Sequence, residues 1–129
     1  MKLKTLEPNA HYDIVNGKPS AIYKDNDGSY LYRYNIVAEN AVKDGENQES
    51  QIGWQCRELR IYETPTKSVL KRAIIRSVVD ESAEFNIVNS YNKHVLGIKI
   101  DESAVTNYIE YLQFIEDLDA MLVSDLNNI

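Results

Sequence analysis

Apolar and polar positions alternate along the first half of the chain and recur at helical spacing along the second. The change falls at Thr64-Pro65-Thr66. A period of two places side chains on opposite faces of a strand, and a period of 3.6 gathers them on one stripe of a helix. Strands first and helices second predict an α+β domain: an N-terminal antiparallel β meander of about four strands, followed by three α-helices packed on one face.

The details follow the turn residues. Residues 1–10 read as a loose lead-in, with Pro8-Asn9 as a breaker. His11–Val15 and Ser20–Lys24 are expected to pair as a hairpin through Asn16-Gly17, because both turn positions accept positive φ. Asp25-Asn26-Asp27-Gly28 is a second turn. From Ser29 to about Ala38, Tyr30, Tyr32, Tyr34 and Ile36 share one face. Residues 39–51 are polar and aperiodic, which predicts a mobile loop. Ile52 to Glu63 is the last strand. Its apolar residues change parity between Cys56 and Leu59, which calls for a bulge near Arg57-Glu58 or burial on both faces. The β region thus spans 11–63 and the helical region 64–129, within a single domain over 1–129.

Pro65 favours a first helical position, with Thr64 or Thr66 as cap, and opens a helix over about 66–79. Asp80-Glu81-Ser82 starts a second over about 81–96, with Phe85, Val88, Tyr91 and Val95 in its stripe and Gly97 at its end. Asp101-Glu102-Ser103 starts a third, reaching about Leu126. Its stripe includes Val105, Tyr108, Ile109, Leu112, Ile115 and Leu118, and is widened by Tyr111 and Phe114. A face that broad predicts two partners: the sheet on one side and a helix or another subunit on the other.

Charge narrows the function classes. The formal net charge is -6, with -2 before Thr66 and -4 from there on. Long-range electrostatics therefore do not draw the chain to nucleic acid or to an anionic membrane. One cysteine, Cys56, excludes an internal disulfide and favours a reducing compartment. No window has the roughly 20 apolar residues of a membrane span.

Candidate chemistry is sparse. Cys56 as a nucleophile needs a lowered pKa and a nearby base, whereas a free cysteine in a strand is ordinarily a core residue. The two histidines, His11 and His94, have no metal-ligand spacing. Asp25-Asn26-Asp27-Gly28 resembles the start of a calcium loop, but Ile36 stands where the twelfth-position glutamate belongs. No catalytic, cofactor-binding or metal position is assigned, and no cofactor is expected. Lys67, Lys71, Arg72 and Arg76 on the first helix form a possible basic patch for phosphates, or partners for nearby carboxylates. Nine tyrosines, six of them before Pro65, favour an interface or a half-wet sheet face. Tyr30, Tyr32, Tyr34, Tyr111 and Phe114 are the expected interface residues.

Four stretches carry a resemblance: Trp54–Glu58, Tyr62–Thr66, Leu70–Arg76 and Glu84–Asn92. Together, over about residues 50–125, they resemble small uncharacterised proteins encoded by phages and prophages of gut bacteria. The resemblance implies a phage-associated origin, and the expected location is the cytoplasm of a bacterial host or the virion. It transfers no activity. The expectation is a non-enzymatic protein acting through protein–protein contacts, in assembly or as an accessory factor, with a protein partner or self-association. The alternative is a nucleic-acid-associated or DNA-enzyme-modulating protein that uses the basic helix 66–79.

Overall fold

The structure is a computed structural model and describes residues 1–127. Four strands, β1 (Ala10–Asp13), β2 (Ile22–Lys24), β3 (Tyr30–Val42) and β4 (Glu49–Ile61), form one antiparallel, curled sheet in the order β1-β4-β3-β2. Three helices follow: α1 (Lys67–Val78), α2 (Glu81–Val95) and α3 (Glu102–Asn127). This is the expected α+β arrangement. Among the described residues no helix is long and apolar enough to cross a membrane. The chain forms two compact units: Leu6–Pro65, and Met1–Thr5 with the chain from Thr66 onward.

In the sheet unit the predicted first hairpin does not form. β1 stops at Asp13, whose carboxylate accepts from Val15 N at 2.9 Å and caps a 3₁₀ turn over Ile14–Asn16. Ile14 and Val15 are consequently exposed. β1 pairs instead with β4, Tyr12 opposite Trp54 and Ala10 opposite Cys56. Gly53 permits that approach, because a Cβ there would collide with the carbonyl oxygen of Tyr12. The Asp25–Gly28 turn does form and joins β2 to β3, with Gly28 N–H donating to Asp25 O at 3.1 Å and Gly28 at φ 87°.

The bulge expected at Arg57-Glu58 lies elsewhere. The register slips on β3 between Tyr34 and Val37, where Asn35 has φ 53°, and again between Glu39 and Asn40, opposite Ile52. β4 therefore keeps strict alternation past Cys56. Cys56 is buried on one face and Ile61 on the other, so β4 is covered on both faces. The loop expected over 39–51 is mostly strand: Asn40, Ala41 and Val42 pair with Gln51, Ser50 and Glu49, leaving Lys43–Gln48 as the connection. Neighbouring backbone, not side-chain pattern, orders these residues. The start of the chain is also placed. Leu3 is buried in a 3₁₀ turn over Leu3–Thr5. Asn9 exchanges two hydrogen bonds with the Glu58 backbone, at 2.7 and 3.1 Å.

The helical unit matches its local signals. Thr66 Oγ1 accepts from Val69 N and Asp80 from Ala83 N, capping α1 and α2. Pro65 precedes the cap rather than opening the helix. Gly97, at φ 74°, donates to His94 O while Ile98 N–H donates to Lys93 O, closing α2 with the two crossed bonds of a Schellman motif. Leu70, Ile74, Phe114, Leu118 and Leu122 form the core of this unit.

Candidate functional site

A polar cluster lies on one face of the sheet. Arg33 on β3 is 8% exposed and stands opposite Glu58 on β4. Its Nε donates to the Tyr12 hydroxyl at 2.9 Å, and its Nη1 donates to Ser20 O at 3.2 Å. The Tyr12 and Tyr23 rings lie 4.7 and 5.5 Å from the guanidinium carbon. The Tyr12 hydroxyl in turn donates to Glu58 Oε2 at 2.8 Å. Burial, then the hydrogen bond to Glu58, pushes the Tyr12 phenol pKa up. An open pocket beside the cluster is lined by Tyr12, Lys18, Ser20, Tyr23 and Arg33 among others. The guanidinium places its charge 3.9 Å from Glu58 Oε1 and two of its donors on Tyr12 and Ser20. The cluster therefore ties β1, the 17–21 loop, β3 and β4 together.

The tyrosines expected at an interface lie largely inside. Tyr32 and Tyr34 are 0% and 2% exposed, and their rings stack at a centroid distance of 5.7 Å. Tyr34 also accepts from Arg57 Nε at 3.3 Å. Tyr30 is half-buried, with Lys24 Nζ 5.9 Å from its ring centre. On α3, Phe114 is buried, and the half-buried Tyr111 donates to Glu84. Tyr32, Tyr34 and Phe114 are thus corrected from contact surface to core: the sheet and helix faces that carry them are the covered ones.

The basic residues of α1 are mostly engaged within their own unit. Lys67 and Lys71 both reach Asp119, Lys71 at 3.0 Å. Arg76 Nη2 pairs with Glu84 at 2.7 Å, and its Nε lies 4.0 Å from Glu81. The Lys71 hydrogen bond holds the Asp119 carboxyl below its ordinary range, and Arg76 followed by Tyr111 does the same for Glu84. Arg72 is exposed. A patch for phosphate contacts would need these cations free, and three of the four face carboxylates.

Cys56 is fully buried, and burial pushes its thiol pKa up, which opposes the thiolate a nucleophile requires. Among the described residues no group of three or more His, Cys, Asp or Glu side chains is placed to hold a metal ion. Asp25 pairs with Arg60 at 3.1 Å, and Asp27 accepts from Ser29 N and Oγ, so the acidic turn serves the hairpin.

The unusual surface is on α2 and α3. Helix α2 has no buried residue, yet Phe85 is 70% exposed and Val95 60%. Along α3, Ile109 and Leu112 are 61% and 44% exposed. Leu96, Ile98 and Ile100 are exposed in the turn between the helices. The two helices meet through the stacked Tyr91 and Tyr108 rings, 4.4 Å apart, and the Tyr111–Glu84 hydrogen bond. Phe85, Ile109 and Leu112 are therefore left exposed beside this seam. The width of the α3 stripe signalled a second face, but periodicity alone did not distinguish Ile109 and Leu112 from the covered Phe114.

Compared with family models, with curated proteins and with solved structures, the chain matches none.

Proposed function

We propose that this chain is a non-enzymatic protein that acts through protein–protein contacts, in an assembly or accessory role, within the phage-associated setting that its resemblance to phage-encoded proteins implies. One observation carries the reading: the exposed apolar surface of α2 and α3. Large apolar side chains scattered singly over a surface are normal, but rows of them on adjacent helices mark interaction sites. Phe85, Ile109 and Leu112 form such rows, beside a seam that holds without burying them.

The test combines fold and association. Replacing Phe85, Ile109 and Leu112 together by serine leaves the far-UV circular dichroism and the thermal midpoint close to wild type, since these side chains are already wet. The same variant loses any association that wild type shows by light scattering, or by capture of a defined phage or host protein. A wild-type chain that stays monomeric at high concentration and captures no such protein overturns the proposal.

A further inference from the structure

The turn between α2 and α3 is held by bonds of two kinds. The first kind is entirely backbone. Lys93 O accepts from Ile98 N at 2.9 Å and from Lys99 N at 3.2 Å, and His94 O accepts from Gly97 N at 3.1 Å. None of these groups titrates. The second kind is a single bond to a side chain. The Asp101 backbone N–H donates to Nδ1 of His94 at 2.9 Å. His94 is half-buried in the last turn of α2.

Asp101 in turn starts α3. Its Oδ1 accepts from Ser103 N at 3.0 Å and from Ser103 Oγ at 2.6 Å, and its backbone oxygen accepts from Ala104 N at 3.1 Å. These bonds satisfy amides that the first turn of a helix leaves without partners. Contacts therefore run from the His94 ring to Asp101, and from Asp101 into α3. The Ser103 hydroxyl holds the Asp101 carboxyl below its ordinary range, so this cap stays ionised across the pH range in which imidazoles change charge.

An imidazole accepts a hydrogen bond only through a nitrogen that carries no proton. A backbone N–H at Nδ1 thus fixes the neutral ring, with its proton on Nε2. A proton on Nδ1 would set two donors against each other across 2.9 Å, and the ring would have to turn away. The charged ring has a destination in the carbonyls that end α2, where a cation is favoured. The charged groups flanking it in the chain are Lys93 on α2, Lys99 in the turn, and Asp101 and Glu102 at the start of α3, so neither sign dominates around it.

We infer that His94 is a pH-operated latch on the α2–α3 turn. Neutral, the ring holds Asp101 and the start of α3 to the end of α2. Charged, it releases Asp101, and the turn keeps only its backbone bonds. The latch is closed at the alkaline end and opens as pH falls. The turn carries Leu96, Ile98 and Ile100, which are 71%, 72% and 69% exposed. Acid therefore loosens the segment that presents these three apolar side chains. The latch stands whether or not the α2–α3 face is a contact surface.

The experiment is NMR on the full chain, as wild type and with His11→Asn, which leaves His94 as the sole imidazole. At about pH 8 the ring nitrogen shifts of His94 are expected to report the Nε2–H tautomer. From about pH 8 to about pH 5.5, the exchange protection factor of the Asp101 amide falls by about tenfold, as loss of one hydrogen bond does. That of the Leu96 amide, which donates to Asn92 O at 2.9 Å, stays unchanged. His94→Asn offers a side-chain oxygen that does not titrate, and it removes the pH dependence at Asp101. An Nδ1–H tautomer at about pH 8 overturns the inference, as does Asp101 protection that ignores pH. So does a pH dependence that survives His94→Asn. An equal fall at Leu96 overturns it too, because acid would then be fraying the end of α2 as a whole.

Discussion

The interior of the sheet unit is built from tyrosines and a paired arginine held by hydrogen bonds, whereas that of the helical unit is built from aliphatic side chains held by shape. Tyr32, Tyr34 and Arg33 are buried in β3, each with a polar tip. Tyr34 meets Arg57, and Arg33 meets Tyr12, Ser20 and Glu58. Leu70, Ile74, Leu118 and Leu122 are 0% exposed in the helices and carry no polar atom in their side chains. A buried polar tip has few acceptable positions, so it fixes register, and an aliphatic core tolerates small shifts but loses energy with every void. This difference decides where each unit is fragile.

The largest expected effect is in the helical core. Leu118→Ala should destabilise by about 2–5 kcal/mol, read from urea unfolding at 222 nm. A loss under 1 kcal/mol would mean that neighbours collapse into the space, and the contrast in shape would weaken. Next is Arg33→Met. It leaves Glu58 without its guanidinium and should cost about 3 kcal/mol by the fluorescence of Trp54, the single tryptophan, which lies in β4. Adding Glu58→Met should recover part of that loss. If the double variant is no better than the single, charge pairing is not what stabilises the cluster. Tyr12→Phe removes the hydroxyl between Arg33 and Glu58, and should cost about 1–2 kcal/mol.

The smallest effects are pH slopes. Burial, then the Glu84 hydrogen bond, pushes the Tyr111 pKa up to about 12 from 10.0. The folded state therefore holds a proton that the unfolded state releases, and stability falls as pH rises from 10 to about 12. Tyr111→Phe should make that fall shallower. Glu84 shifts the other way, its carboxyl lowered by Arg76 and then by Tyr111. Its contribution is present above the ordinary value of 4.5 and is lost as pH drops through the lower folded value. Glu84→Gln should flatten the acid limb of the stability curve. An unchanged acid limb would show that the Arg76–Glu84 pair adds little to the helical unit.

The helices were legible because their signals are local. Thr66, Asp80 and Gly97 act within four residues of themselves, and the predicted helix bounds fall within two residues of those observed. The sheet was legible as strands but not as pairings. Asn16-Gly17 is a good hairpin turn, yet Asp13 caps a different turn first, and the true partner of Tyr12 is the distant Trp54. The β3 bulge at Asn35 was equally hidden, because it answers to the register of β4. The candidate surface was half legible. The broad α3 stripe announced an unfilled face, but Tyr111 and Phe114 were the residues expected on it, and Ile109 and Leu112 are the ones exposed there.

By itself the sequence determined the order of strands and helices, the switch at Thr64-Pro65-Thr66, the caps and the acidic balance. Each depends on a residue and its near neighbours in the chain. Only the tertiary structure decided which apolar residues are covered, which strand β1 meets, and that Lys67, Lys71 and Arg76 face carboxylates. Those outcomes depend on groups far apart in sequence, and periodicity assigns a side chain to a face without saying what that face touches.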